Sequence, residues 1–540
     1  MPASRGQFLK SAEEFARHPW RLAAAVLLAA LSLTSVYRAY TQSITHDEAV
    51  MFEWYLTGSW GQVLNVAHGN HHVVTDLLSK LAITLFGLSE LTLRIPALLG
   101  GLVYFYSVFR ISECLLGVRF RFLLSVALLG LNPFVLDYFS LARGYGAALG
   151  CFFYALYQVV LYLAPPPEGE PPRRLLHKGG GALGVSIGCN AVMIFPGGAL
   201  IASLLALLAG DAWMRKPEPV EAAPADEKSR GAKKGRRRKS RHEVPRGPRA
   251  RGWEAMIHFV FPAAAVAGFI LMLPSRLIDI EEGNLGPASL FEILEGLVRN
   301  SFFHSPTGFA GLASWFPAES AIRILTQFAV PVCVAGLIAA AVGIAFSWTA
   351  KGNLEALPAI DRIGLLLGAM LPVTLVLILV SRYVFLQPYP ELRTAMYWIP
   401  LLGLASMSLL DRFGRGSGIV TAVLVLCVVQ FMTQFNTRYF AEWAYCAAGK
   451  DMMQIIRAGT ESKRGVRVRI GATWQLEPVI NFYRAAWRLD WIDPVRRESP
   501  NNVYDYYVLL YGDTALVERL HLKKLLSDPL SGAVLAKRGD

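Results

Sequence analysis

What this chain can fold into is limited first by its apolar runs. From about Leu22 onward it returns repeatedly to stretches long enough to cross a bilayer, which takes roughly 17–25 apolar residues in an α-helix. Such stretches lie near 22–40, 95–115, 120–138, 142–163, 180–194, 196–212, 253–274, 321–347, 362–386, 395–410 and 417–436. Backbone polar groups in hydrocarbon must be satisfied within the segment, so runs of this length imply helices. Composition agrees: the 540 residues are 54% hydrophobic and 17% charged, with a mean hydropathy of +0.39. That is too apolar for an ordinary soluble domain. The expected fold class is mainly α, a polytopic membrane protein with about 11 transmembrane helices.

The net charge of +13 is concentrated rather than spread. Residues 213–252 hold fourteen Lys and Arg against five Asp and Glu, in a stretch rich in Pro, Gly and Ala. This composition predicts a disordered loop. No aromatic residues interleave with the charge, so nucleic acid is not the expected partner, and anionic membrane lipid is. Arg17 and Arg21, Arg110 with Arg119 and Arg121, Arg173 with Arg174 and Lys178, Lys351 with Arg362, and Arg412 with Arg415 flank the runs. The positive-inside rule puts all of these on the cytoplasmic side, provided that residues 73–87 do not cross. Thr75, Asp76, Ser79 and Lys80 alternate there with Leu77, Leu78, Leu81 and Leu85, which suits a helix lying in the interface. The transmembrane domain is then 1–436, with its first span uncleaved and with outer loops at 41–94 and 275–320. Residues 437–540 form a small outer α/β domain: "VRVRIGA" and "YDYYVLLY" read as strands, "GKDMMQIIRAG" and "DTALVERLHLKKLL" as helices. Six scattered cysteines without CxxC spacing indicate neither a disulfide framework nor a zinc site.

Reactive side chains gather on the outer loops. Asp47 and Glu48 follow the first run in "TQSITHDEAVMFEWYL". Thr45-x-x-Glu48 is a capping box opening an amphipathic helix. A carboxylate beside a helix N-terminus stays ionised, as a general base requires. Glu48 can cap while Asp47 remains available, and Glu48 is also a candidate metal ligand. His71 and His72 in "GNHHVVTDLLSK" share that loop and suit metal or phosphate contact. Arg143 in "LARGYG" and Arg393 in "PELRTAMYW" sit at outer ends of spans, where snorkelling at the interface is the plainer reading. Together these groups suit an anionic, lipid-borne substrate.

The order of motifs resembles the GT-C superfamily of polyprenyl-phosphate-sugar-dependent glycosyltransferases, in the branch of protein O-mannosyltransferases and bacterial aminoarabinose transferases. It rests on "HDEAVMFEWYL", then "NHHVVTDLLSKLAITLFGLSELTLRIPALLGGLVYFYSVFRI", "ARGYG" and "ELRTAMYWIPLLG". It covers roughly the first 160 residues well and the Arg393 region more loosely. The resemblance implies a GT-C fold and transfer of a sugar from a polyprenyl-phosphate donor to a glycan, lipid or protein acceptor. The reaction would run, with inversion, on the outer (periplasmic) face of a bacterial cytoplasmic membrane. It implies Asp47 as base with Glu48 as partner. It further implies donor-phosphate contact by Arg143, Tyr145 and Arg393 and by the histidine pair His71 and His72. The prolines that many relatives carry after the histidine are replaced by Val73 and Val74. His304, in "NSFFHSPTGF", is a candidate ligand for a divalent metal cation (Mg, Mn or Zn), as in some relatives. The competing class is a lipid or lipid-linked sugar flippase. Flippases carry ionisable groups within spans or inverted repeats. Here the runs are nearly free of acids and show no repeat.

Overall fold

A computed structural model describes residues 18–65, 71–166, 170–215, 248–273, 289–304, 318–461 and 466–539. Most of the basic stretch expected at 213–252, and parts of the loop expected at 275–320, lie outside the described residues.

Every apolar run is helical. In chain order the helices used below are α1 (Pro19–Thr41), α2 (His46–Met51), α3 (Val73–Phe86), α4 (Glu90–Leu116), α5 (Phe120–Gly130), α6 (Pro133–Tyr138), α7 (Gly144–Leu163), α8 (Pro172–Cys189), α9 (Ile194–Met214) and α10 (Phe261–Leu271). They continue with α11 (Leu290–Phe302), α12 (Val330–Lys351), α13 (Ala359–Tyr383), α14 (Trp398–Leu409), α15 (Ser417–Thr433), α16 (Gly449–Thr460) and α17 (Glu477–Ala486). Among the described residues, eight helical segments are long and apolar enough to cross a membrane. Three causes separate this figure from the larger number of runs. The run at 120–138 breaks at Asn132-Pro133, where Asn132 caps α6. α8 opens on "PRRLLHKGGG", which lowers its hydropathy. α14 and α15 belong to one apolar segment, Leu392–Thr433, that turns at Gly414 (φ 53°), a conformation glycine adopts at little cost. The chain is a polytopic, mainly α membrane protein.

α3 packs on α4, where the Ser79 hydroxyl donates to the Leu93 carbonyl oxygen (2.9 Å), and its polar face is the one turned inward. Thr75, Asp76 and Ser79 are buried against the protein, while Leu78, Leu81, Leu85 and Phe86 are exposed. Its exposed apolar face is of the kind that lipid covers on an interfacial helix.

α4 and α7 touch backbone to backbone. A Cβ on Gly100 would stand 2.4 Å from Ala147 Cα, and one on Gly150 2.2 Å from the Gly100 carbonyl oxygen. Small residues let the two axes close up, and this contact seats the N-terminus of α7, with Arg143 and Tyr145, beside the loop before α3.

Residues after 436 contain all four described strands, β1 (Ile470–Ala472), β2 (Tyr506–Leu509), β3 (Lys523–Ser527) and β4 (Val534–Lys537). They form a sheet in the order β1-β2-β4-β3, parallel between β1 and β2 and antiparallel otherwise. The helix expected over "DTALVERLHLKKLL" is corrected. A 3₁₀ turn (Tyr511–Ala515) and a single helical turn (Leu516–Arg519) give way to β3 at Lys523. β3 pairs only with β4 and carries exposed Lys523 and Lys524, residues that protect a sheet edge. The sheet unit is docked on the first loop. The Tyr483 hydroxyl accepts the Ile44 N–H (2.9 Å) and lies 3.0 Å from Glu90, and Phe482 meets Phe52 edge to face at 5.4 Å.

Candidate active site

The capping box forms. The Thr45 side chain accepts the Glu48 N–H, and the Glu48 side chain accepts the Thr45 N–H, so α2 starts where the pattern places it. Beyond capping, Glu48 is wholly enclosed. Arg94 donates from Nε to Oε1 (2.8 Å) and from Nη2 to Oε2 (2.7 Å). The Ala142 N–H reaches Oε1 (2.6 Å), and the Thr45 N–H and hydroxyl both reach Oε2 (3.0 Å each). The rest of the Arg94 guanidinium is taken by the carbonyls of Ala39, Gln42 and Ser43. Burial alone would push the Glu48 carboxyl up, but Arg94 and the two amides hold it below the usual carboxylate range. Such a carboxylate has no lone pair left for a metal or a reacting proton. The catalytic and metal roles expected of Glu48 give way to a structural one: it ties α1, α2, α4 and the approach to α7 into one knot.

Asp47, the preceding residue on α2, points the other way, and its side chain is 14% exposed. Its Oδ2 stands 3.5 Å from Arg143 Nη2 and 3.3 Å from Arg393 Nη2, and accepts no hydrogen bond. Burial works to raise this carboxyl, yet Arg143, then Arg393 and His46, and a hydrogen bond from Trp443 bring it below its ordinary value. The result is an ionised carboxylate held between two guanidiniums from distant segments.

Arg143 is 1% exposed in its side chain, whereas Arg393 keeps 30% and lies over the Trp443 ring at 5.4 Å. Tyr145 is buried between the rings of His72 (5.4 Å) and Tyr138 (5.2 Å). The two histidines diverge. His71 stacks on Tyr55 at 4.6 Å and places Nε2 3.5 Å from Asp76. His72 turns toward Tyr145. Burial, then Arg143, His71 and Arg393, press its pKa well below the usual imidazole value, so it is neutral. It is therefore a hydrogen-bonding group that carries no charge. Gly144 holds this arrangement: a Cβ there would lie 2.2 Å from the Cys189 carbonyl oxygen and 2.8 Å from His72 Cγ.

His304 is elsewhere in the cluster than a shared metal position would need. Its Nε2 meets Asp137 Oδ2 at 3.1 Å, and Asp137 is also paired with Arg38 and accepts the Ala441 N–H (3.1 Å). Among the described residues no three His, Cys, Asp or Glu side chains group to hold an ion. The donor set does not fit a divalent cation. The Asp47 oxygen faces two arginines, Glu48 is saturated, and His304 shares a carboxylate with Arg38.

Several members of the site carry no sequence motif. Glu442 lies 3.5 Å from Arg393, and the Tyr138 hydroxyl donates to it. Burial raises the Glu442 carboxyl, and Arg393 and Tyr138 only partly offset this. Arg38 and Arg94 were visible as arginines inside or beside apolar runs, a position that marks a functional or structural centre by itself.

Asp76 gives a measurable property. It is fully buried, and burial raises its carboxyl to about 7, with the His72 N–H (3.0 Å) and Arg143 offsetting only part of the cost. In the unfolded chain it ionises near 4. Between about 4 and about 7 the folded state binds the extra proton, so stability contributed here falls as pH rises through that window. The Tm of the purified protein should therefore decline between pH 4.5 and 7.5 more steeply than that of Asp76→Asn. Equal slopes in the two proteins would contradict this assignment.

Fold and site together define a polytopic α-helical membrane protein with a carboxylate–arginine centre at one end of its helix bundle. Among solved structures the chain is similar to ArnT from Cupriavidus metallidurans bound to undecaprenyl phosphate, at 13% identity over 96% of this chain and 99% of that one, with a TM-score of 0.45. The apo state of ArnT gives 14% identity, 96% and 99% coverage and a TM-score of 0.40. The archaeal oligosaccharyltransferase AglB from Archaeoglobus fulgidus, in complex with an inhibitory peptide and a dolichol-phosphate, gives 9% identity, 96% and 74% coverage and a TM-score of 0.42. No family model and no curated protein matches the chain.

Proposed function

We propose that this protein is an integral membrane glycosyltransferase of GT-C type. It moves a sugar from a polyprenyl-phosphate carrier to a glycan, lipid or protein acceptor on the outer face of a bacterial cytoplasmic membrane. The observation that carries this reading is Asp47: an ionised carboxylate whose Oδ2 stands 3.3 and 3.5 Å from two arginines of separate segments and accepts no hydrogen bond. The motif order of the sequence supports it.

The two arginines supply what a departing polyprenyl phosphate needs, fixed positive charge where negative charge develops. Neutral His72 and Tyr145 add hydrogen-bonding groups without competing for that charge. Before the donor arrives, both guanidiniums weaken Asp47 as a base. A phosphate seated between them takes up their charge, and the basicity of Asp47 then rises toward its ordinary value. Donor binding and base strength are thereby coupled. Asp47 accepts the acceptor's hydroxyl proton as its oxygen attacks the anomeric carbon opposite the phosphate, a single displacement that inverts the configuration. An acceptor that is already anionic dispenses with the base, and catalysis then rests on positioning and electrostatics. The sheet-bearing unit at 437–540, on this reading a domain outside the membrane, borders the acceptor's approach.

Proteoliposomes containing the protein, a labelled polyprenyl-phosphate sugar and membrane extract as acceptor source test this reading. Label is expected to pass to an acceptor and the carrier to be released as polyprenyl phosphate. Translocation of intact carrier without transfer would replace the enzyme by a flippase.

A further inference from the structure

At the end of the helices opposite Asp47, two histidines face one another. His258 Nδ1 lies 2.9 Å from His177 Nε2, with ring centroids 4.6 Å apart and planes at 71°. His177 is on the second turn of α8. His258 lies on the helical segment Arg251–Leu271, within a π-helical turn, Met256–Val260, that runs into α10. The site stands on its own, independent of the glycosyltransferase reading.

Three features hold the pair in place. A stripe of glycines on α8 packs directly on the facing helix: a Cβ on Gly180 would lie 2.3 Å from the Phe259 carbonyl oxygen, on Gly184 2.6 Å from Val266 Cβ, and on Gly188 2.6 Å from Ile270 Cδ1. Such small-residue stripes bring helix axes together, and His177 extends this one by a turn, being three residues before Gly180. The π turn widens the facing helix where His258 projects, and insertions of this kind are frequent at functional sites. Finally, carboxylates stand among the neighbouring cations: Arg173 is paired with Glu254 (3.2 Å), while Lys178 (2.7 Å) and Arg174 (3.9 Å) share Glu170.

Two imidazole nitrogens on one tetrahedral ion, each at about 2.0–2.1 Å, stand roughly 3.3 Å apart. The observed pair needs to open by only about 0.4 Å to reach that spacing. The proton now between the rings moves to the far nitrogen of its own ring, which leaves two lone pairs facing each other and changes no net charge. His177 is exposed, so an ion and its remaining water ligands have access. We infer that His177 and His258 form a two-histidine site for a borderline divalent transition cation such as Zn²⁺, which clamps α8 to the Arg251–Leu271 helix on the side of the membrane opposite the reactive centre.

The test uses the full chain, without an affinity tag, in detergent. Zn²⁺ is expected to raise Tm by roughly 2 °C or more at saturation, and both His177→Ala and His258→Ala should lose that shift while keeping their metal-free Tm within a degree or so of the parent. Cu²⁺ serves as a second probe: its EPR spectrum should show coupling to two imidazole nitrogens in the parent and to one in either variant. No Zn²⁺ shift in the parent, or a shift that persists in both variants, overturns the site. A Cu²⁺ spectrum unchanged by either substitution does the same.

Discussion

Asp47→Asn is expected to lose sugar transfer by about 10²–10⁴-fold, the usual contribution of a positioned general base. It should also melt somewhat below the parent, because the 1%-exposed Arg143 side chain loses the carboxylate 3.5 Å away. Asparagine fills the same volume beside Arg143 and Arg393, so packing is little altered. What is lost is the ability to take a proton. The substitution also removes the negative charge that now sits 3.3 and 3.5 Å from the two guanidiniums. Donor phosphate should therefore bind the variant at least as tightly as the parent. The signature is a fall in kcat with KM for the carrier unchanged or lower. This pattern separates a base from a residue that holds the donor, for which KM would rise. Arg393→Gln supplies the contrast, since it should raise KM for the carrier. Transfer by Asp47→Asn at the parental rate would remove Asp47 from the chemistry and point to an acceptor that is already anionic.

Much of the architecture was legible because the bilayer imposes simple rules. Length and apolarity located the helices, and Thr45-x-x-Glu48 located the start of α2 to the residue. The convergence of Asp47, Arg143, Tyr145, His72 and Arg393 could be anticipated, because topology places their loops on one face. What could not be anticipated is which partner each charge takes. Arg94 meets Glu48, 46 residues earlier in the chain, and Arg38 meets Asp137 and the Tyr439 carbonyl oxygen, 401 residues on. No spacing rule connects such positions. Glu442 follows the last apolar run in unremarkable sequence and enters the site only through Arg393 and Tyr138. The error at β3 has the same origin. "LHLKKLL" has helical composition, and pairing with β4 overrides it. The π turns at Phe52–Leu56 and Met256–Val260 leave no mark in composition at all.

Breaking the Glu48–Arg94 pair from either side is the second change expected to have a large effect, and here the effect falls on stability. Both side chains are 0% exposed. Arg94→Met would leave the Glu48 carboxylate buried with only the Thr45 and Ala142 donors, and Glu48→Gln would leave the guanidinium facing a neutral amide. Removing one partner of a buried pair costs about 3–5 kcal/mol, because the other charge remains desolvated and uncompensated. Each single variant should accordingly show a large drop in Tm and in the yield of monodisperse protein. The double variant Glu48→Gln with Arg94→Met should be less damaged than the sum of the two, because neither charge is then left alone; the coupling energy of such a cycle is typically about 0.5–3 kcal/mol. The thermal measurement also decides between roles for Glu48. A residue that took part in the reaction or held a metal would, on conversion to glutamine, lose activity while keeping its melting temperature. Five donors on two oxygens predict the opposite order, with stability failing first and activity following it.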